Sequence, residues 1–135
     1  MDRGIRTAFE DMVFMDLART NACVPLDEAQ VYSRLQVQSP LPCLITLQMA
    51  PALVDACFDA LYSGIESTQV ARLDIVNELI NIVSGLIMSH LSETSAIQLG
   101  LPEGGQGYPS ATSGTAISCV FCADMATLQL TLTLP

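Results

Sequence analysis

The chain has 135 residues, half of them hydrophobic, which is enough for one domain with a substantial core and too few for two ordinary domains. Its formal net charge is −9, and its five basic residues are all arginine. Such a surface repels phosphate backbones and anionic lipids, which argues against nucleic-acid binding and membrane adhesion. No apolar run reaches the length of about 18 residues that spans a bilayer, and the N-terminal segment MDRGIRTAFEDM lacks the apolar stretch of a signal peptide. We therefore predict a single cytoplasmic domain comprising residues 1–135.

The N-terminal third of the sequence predicts a helix followed by a β-hairpin. Between about Arg3 and Arg19, apolar residues recur at helical spacing, which favours an amphipathic helix. Residues 21–31 contain a proline and acidic residues and favour a loop or a weak edge strand. Polar and apolar residues then alternate from Ser33 to Val37 and from Cys43 to Met49, on either side of a Ser-Pro-Leu-Pro turn. Alternation around a proline-rich turn predicts a hairpin.

Two further helices are predicted in the middle of the chain. The first begins near Pro51 and is expected to stop at Ser63-Gly64. The second runs from Arg72 to Ser92, and its aliphatic residues fill one continuous half of the helical wheel, as expected of a helix that packs on a core. These predicted core residues are Ile75, Val76, Leu79, Ile80, Ile82, Val83, Leu86, Ile87 and Leu91.

The opposite face of this long helix is polar or small, and it carries the candidate functional residues. Residues three and four apart on a helix are neighbours, so Asp74, Glu78, Asn81 and Gly85 form one file. A glycine inside a helix costs about 1 kcal/mol relative to alanine, so Gly85 suggests that another backbone or a partner approaches closely there. The spacing Glu-x-x-Asn is common by chance, so an ordinary solvated face is the alternative on spacing alone. The other residues of this face are Asn77, Ser84, Met88 and Ser89.

The C-terminal third of the sequence predicts strands. Residues 96–102 favour a short strand that breaks at Pro102. The glycine-rich segment EGGQGYPS is expected to be a flexible loop, because it lacks the lysine of a phosphate-binding loop and precedes strands rather than a helix. The alternating runs Thr115–Cys122 and Ala126–Leu134 favour two final strands. This order predicts an α+β domain with long helices packed on one face of a mixed, largely antiparallel sheet.

The cysteines and the histidine are predicted to be structural. Five cysteines, an odd number, lie among apolar neighbours, which favours reduced and buried thiols. Cys119 and Cys122 have the spacing of a redox or zinc pair, but no second pair of cysteines or histidines lies near them, so core thiols are favoured. His90 falls in the apolar half of the wheel near the end of the long helix. Packing or an interaction with the helix dipole is favoured over catalysis.

The sequence resembles the CheX branch of the CheC, CheX and FliY phosphatases of bacterial chemotaxis over nearly its whole length. The resemblance is carried by Asp74-x-x-x-Glu78-x-x-Asn81 on a long helix, by Gly85, and by Leu-Gly-Leu-Pro102 further along the chain. The segment CLITLQMAPALVDACFDALYSG is similar to the family's strand and crossing helix. The resemblance implies a CheC-like fold with two long helices against a mixed sheet. The single copy of the motif points to the CheX type, for which the resemblance implies a homodimer joined through the sheet.

The resemblance also implies an activity, the hydrolysis of the aspartyl phosphate on a CheY-like response-regulator receiver domain. By motif match, Asn81 would orient the attacking water, and Glu78 would pair with a lysine of the receiver. The receiver would supply the phosphorylated aspartate and its Mg²⁺, so we expect no metal site or cofactor in this chain. The remaining candidates for partner binding are Asp74, Asn77, Gly85 and Met88.

Two other functions stay open on the sequence alone. In the first, the chain is a non-catalytic receiver-binding or scaffold module of the same fold, and Glu78 and Asn81 form only a docking face. In the second, the chain is a small-ligand sensor that uses the glycine-rich loop, although no particular residue supports this. The intact Glu and Asn pair favours the phosphatase.

Overall fold

The computed structural model describes residues 18–19, 26–61, 69–91, 96–123 and 126–135. A short helix, Pro51–Leu61, and a long helix, Gln69–Leu91, lie within these ranges, and neither is long and apolar enough to cross a membrane. The element types confirm the α+β class. The strands are β1 (Ala18–Arg19), β2 (Val31–Ser39), β3 (Cys43–Met49), β4 (Gln98–Leu99), β5 (Glu103–Gln106), β6 (Thr115–Ala123) and β7 (Ala126–Leu134).

The described strands form one sheet in the order β1-β6-β7-β3-β2-β4, and β5 also pairs with β2. The predicted hairpin is confirmed, because β2 and β3 pair from Val31 opposite Met49 to Val37 opposite Cys43. The two predicted C-terminal strands are confirmed as β6 and β7. Every pairing among the described strands is antiparallel, so the mixed component expected of the sheet is not seen in these ranges.

The hydrophobic core lies between one face of the sheet and the two helices. Side chains alternate across a strand, so every second residue of β2 points to the same side. On β2 these buried residues are Val31, Ser33, Leu35 and Val37. The long helix packs mainly on β2 and the short helix and also contacts β3.

A bidentate ion pair joins the two helices. Arg72 of the long helix donates from Nε and one terminal nitrogen to the two carboxylate oxygens of Asp55 on the short helix, at 2.7 Å each. The hydrogen bond that Arg72 donates to Asp55, with a smaller electrostatic contribution, raises the pKa of Arg72. Both side chains are about one-third exposed, so solvent screens the pair and limits its contribution to stability.

Two predictions about elements are wrong. The glycine-rich residues 103–106, predicted as part of a flexible loop, form β5 on the edge of β2. A Cβ atom on Gly104 would overlap the carbonyl oxygen of Tyr32, so the glycine is what lets β5 approach β2. Ala18 and Arg19, the predicted end of the first helix, form β1 instead. The rest of that helix and the predicted stop at Ser63-Gly64 lie outside the described residues.

The predictions for the cysteines and the histidine are partly confirmed and partly wrong. Cys43, Cys57 and Cys119 are buried thiols outside any disulfide, as predicted. Cys122 is disulfide-bonded, so the expectation of a reduced thiol is wrong at this position. His90 is exposed in the last turn of the long helix, so the packing interpretation is wrong, and the position is the one that an interaction with the helix dipole requires.

Burial should protect the thiols of Cys57 and Cys43 from modification. Burial raises the pKa of the Cys57 thiol to about 12 and raises the pKa of Cys43 above its usual range. A thiol in the unfolded chain has a pKa of about 8.5. Above that pH the unfolded state gains stability by ionising while the buried thiols stay protonated, so the free energy of unfolding should fall as the pH rises towards the folded pKa. We expect iodoacetamide at mildly alkaline pH to label both residues only in denaturant, as measured by peptide mass spectrometry. Rapid labelling of Cys57 in the folded protein would contradict its burial.

Candidate functional site

The candidate site is the outward face of the long helix, which is continuous from Gln69 to Leu91. Asp74, Glu78 and Asn81 are exposed on this face. Leu79 on the opposite side is fully buried. The 3.6-residue period thus places the carboxylate and the carboxamide where the helical wheel predicted them. Their placement is confirmed, whereas their roles stay predictions.

The exposed arc is narrower than the wheel predicted. Ile82 and Leu86, predicted to be buried, are half-buried and pack against the edge of the core. Ser84 and Met88, predicted on the polar face, have no exposed surface. The expectation that Met88 is available to a partner is therefore wrong. The physical reason is that this flank of the helix lies against the sheet, so its residues are buried whatever their type.

A hydrogen bond shows which flank faces the sheet. The hydroxyl of Ser33 on β2 donates to Oδ1 of Asn77 at 2.6 Å. Positions 77, 84 and 88 are spaced by seven and four residues, so they lie on one flank of the helix. Asn77 is half-buried, and its side-chain oxygen is engaged inside the protein. Sequence reasoning missed Ser33, although a serine in phase with Val31 and Leu35 on an alternating strand is the signal that could have revealed it.

The electrostatics of the exposed arc favour a cationic partner. Among the described residues, neither Glu78 nor Asn81 has a hydrogen-bond or ion-pair partner. The guanidinium of Arg72 is near the start of the arc, but it is occupied by Asp55. Asp74 and Glu78 likewise have no cation partner within the described ranges, so their carboxylates can accept charge-assisted hydrogen bonds from a partner. In the described ranges no group of three His, Cys, Asp or Glu residues is arranged to hold a metal ion.

The pair also has a geometry suited to holding a water beside a cation. Residues three apart on a helix have Cβ atoms about 5–6 Å from each other. The carboxamide of Asn81 both donates and accepts hydrogen bonds, so it can orient a water molecule in a chosen direction. Glu78, as a carboxylate, accepts hydrogen bonds only. The two side chains together can bind one small polar molecule and one positively charged group of a partner.

Gly85 leaves a gap in the surface one turn beyond Asn81. A Cβ built on Gly85 would meet no atom within 4 Å, so no other part of the described chain requires glycine here. We expect Gly85→Ala to raise the free energy of unfolding by about 1 kcal/mol through helix propensity, measured by denaturant titration. If the gap instead admits a partner's backbone, the same variant should weaken partner binding. Unchanged binding to a partner that contacts Asn81 would contradict a docking role for Gly85.

The two helices packed on one antiparallel sheet form the CheC-like α+β fold. The chain is similar to the chemotaxis protein CheX from Vibrio vulnificus, with a TM-score of 0.80 and 14% identity over 97% of this chain and 91% of that chain. It is equally similar to a chemotaxis protein CheX from Desulfovibrio desulfuricans, with a TM-score of 0.80 and 16% identity over 99% of this chain and 95% of that chain. These likenesses confirm the resemblance seen in the sequence and establish the fold.

A further similar structure contains a partner. It is the CheX-CheY-BeF3-Mg+2 complex from Borrelia burgdorferi, with a TM-score of 0.73 and 12% identity over 96% of this chain and 92% of that chain. No protein-family model and no curated protein sequence matches the chain. The likeness to these solved structures lies in the fold, at sequence identities of 12% to 16%.

Proposed function

We propose that this chain is a phosphatase that hydrolyses the aspartyl phosphate of a CheY-like response-regulator receiver domain. The observation that carries the proposal is the exposed Glu78 and Asn81, which have no partner within the described ranges, on an unbroken helix of a CheX-like fold. The similar CheX that was crystallised with CheY, BeF3 and Mg²⁺ supports a receiver domain as the partner. The proposal implies a cytoplasmic location, where phosphorylated receivers are found.

The chemistry needs little from the phosphatase. In the hydrolysis, the oxygen of water bonds to phosphorus while the bond between phosphorus and the aspartyl oxygen breaks, which yields the aspartate carboxylate and inorganic phosphate. The rate depends on placing one water in line and on stabilising charge on the phosphoryl oxygens. Asn81 holds the water with a lone pair directed at phosphorus, and Glu78 binds a lysine of the receiver. In this mechanism the receiver supplies the phosphorylated aspartate and its Mg²⁺, and the reaction calls on no cofactor from this chain.

The proposal is tested by timing the loss of phosphate from receiver domains. Each CheY-like receiver of the host is phosphorylated with acetyl phosphate, freed of donor and mixed with the protein at a catalytic ratio. We expect at least one receiver to lose its phosphate much faster than it does alone, and the Asn81→Ala variant serves as the control for contaminating phosphatases. Binding without accelerated loss would favour the alternative of a non-catalytic receiver-binding or scaffold module. Neither binding nor acceleration for any receiver would refute both.

The proposal includes a symmetric homodimer joined through the sheet. The C-terminal strand β7 is paired on both sides, whereas in the described ranges β6 has a partner on its outer edge only at Phe121 and Cys122. Residues 115–118 of β6 are exposed, and Ile117 is 52% exposed. An unpaired edge of this kind is a natural place for a second copy. We expect light scattering to give the mass of a dimer and Ile117→Lys to reduce it; a monomeric wild type would contradict the proposal.

A further inference from the structure

Ser33 is a polar residue in an apolar row. Its neighbours on the inward face of β2, Val31, Leu35 and Val37, are buried hydrophobic residues, and Ser33 itself has no exposed surface. A buried hydroxyl is costly unless it is hydrogen-bonded. Its bond to Oδ1 of Asn77, at 2.6 Å, meets this requirement. The bond connects the sheet to the long helix at the residue immediately before Glu78.

The strand end of this bond is rigidly held. Ser33 lies opposite Leu47 on β3 and opposite Gly104 on β5, so its backbone is paired on both sides. The helix end of the bond, Asn77, is offset from Glu78 by 100° around the helix axis and lies about one turn before Asn81. A contact at this position therefore resists rotation of the long helix about its own axis.

Apolar packing alone leaves the rotation angle of the long helix about its axis poorly fixed. Most other buried side chains of the long helix, including Met88, are apolar and contact the core without a directional preference. A hydrogen bond, in contrast, weakens steeply when its distance or angle changes. Buried polar contacts can thus specify one arrangement among several of similar packing energy, as a single asparagine does in coiled coils.

We propose that the hydrogen bond between Ser33 and Asn77 is a positioning contact that sets the rotation of the long helix and thereby the direction of Glu78 and Asn81. The inference rests on the proposed function and adds a residue of the sheet to the site. Ser33 has no exposed surface and does not touch the receiver. A substitution at Ser33 can therefore change turnover only by changing the position of the long helix.

The first test compares Ser33→Ala with Ser84→Ala. Both serines are fully buried, but Oγ of Ser84 has no hydrogen-bond partner in the described part of the chain, so Ser84→Ala removes an equally buried hydroxyl without breaking a bond. With the phosphorylated receiver that the wild type dephosphorylates fastest, Ser33→Ala should lower kcat roughly tenfold and change KM by less than about twofold, because small misplacements act mainly on the reaction step. Ser84→Ala should behave like the wild type. Equal kcat for the two variants would overturn the proposal.

A double variant separates positioning from stability. Ser33→Ala alone leaves Oδ1 of Asn77 without its partner, whereas Ser33→Ala combined with Asn77→Leu replaces both polar groups by apolar ones, which is often nearly neutral for stability. We expect the double variant to recover most of the wild-type thermal stability while kcat stays low. Recovery of kcat together with stability would show a merely structural bond and overturn the proposal.

An activity-independent measurement distinguishes failure of this inference from failure of the proposed function. In two-dimensional NMR spectra of the protein alone, Ser33→Ala should shift the backbone amide signals of residues 74–85 along the outward face, including Glu78 and Asn81. The shifts from Ser84→Ala should stay within one turn of position 84 and leave the signals of Asp74 and Glu78 unmoved. If Ser33→Ala leaves the signals of Glu78 and Asn81 unmoved, the positioning role is wrong whether or not the protein is a phosphatase. If they move and no receiver is dephosphorylated, only the proposed function fails.

Discussion

Asn81→Ala should lower the maximal rate of receiver dephosphorylation roughly hundredfold, with a much smaller change in receiver affinity. A side chain that orients the attacking water acts mainly in the transition state, so its loss appears in kcat rather than in binding. The exposure of Asn81 means that the truncation removes no packing contact from the core. Saturation curves for dephosphorylation, together with a direct binding titration, measure the two effects separately.

Ser89→Ala is the matched control for this variant. Ser89 lies on the same side of the long helix two turns further on, and its hydroxyl donates to the carbonyl oxygen of Leu86 at 2.8 Å within the helix itself. Ser89→Ala removes a polar group from the same surface and leaves Glu78 and Asn81 unchanged, so turnover should stay at the wild-type value. Near-normal turnover in Asn81→Ala would remove the water-orienting role and favour the non-catalytic binding module.

Glu78→Ala should weaken both the affinity for the phosphorylated receiver and the turnover, each by about tenfold, because a charge-assisted contact is made on docking and kept in the transition state. Glu78 has no cation of its own among the described residues, since Arg72 is paired with Asp55, so its charge is available to the receiver. The isosteric Glu78→Gln, which keeps the shape and removes the charge, should behave much like Glu78→Ala. Isothermal titration and saturation kinetics give the two quantities.

Salt provides the diagnostic for this contact. The Debye length shortens from about 10 Å at 0.1 M ionic strength to about 3 Å at 1 M, so added salt should weaken the wild type more than Glu78→Gln. Asp74→Asn, one turn earlier on the same arc, should lie between the two, because its charge contributes only through the general negative field. Equal salt dependence of wild type and Glu78→Gln would mean that the carboxylate does not face a cation in the complex.

Much of the fold follows from local patterns along the chain. The hairpin of β2 and β3 follows from two alternating runs around a proline-rich turn, and the two C-terminal strands follow from the same period of two. The long helix follows from its aliphatic stripe. The exposed position of Glu78 and Asn81 follows too, because a period of 3.6 residues opposes them to Leu79 and its neighbours, and this opposition does not depend on what else surrounds the helix.

The surroundings of each element were decided only by the tertiary structure. Burial of Met88 and exposure of His90 depend on which elements cover each side of the helix, and the helical wheel alone assigns both wrongly. The strand β5 forms because a sheet edge lies beside a glycine that has no side chain to obstruct it, a condition that a local pattern cannot express.

In the candidate site, too, some features follow from the local sequence and others only from the tertiary structure. The sequence by itself determined that a carboxylate and a carboxamide face outwards from one helix, because helical geometry is set by residues a few positions apart. Only the tertiary structure decided how that helix is rotated on the sheet, since Ser33 and Asn77 are separated by 44 positions in the chain and meet at 2.6 Å. A hydrogen bond over such a separation depends on the packing of whole elements, so no local pattern in the sequence specifies it.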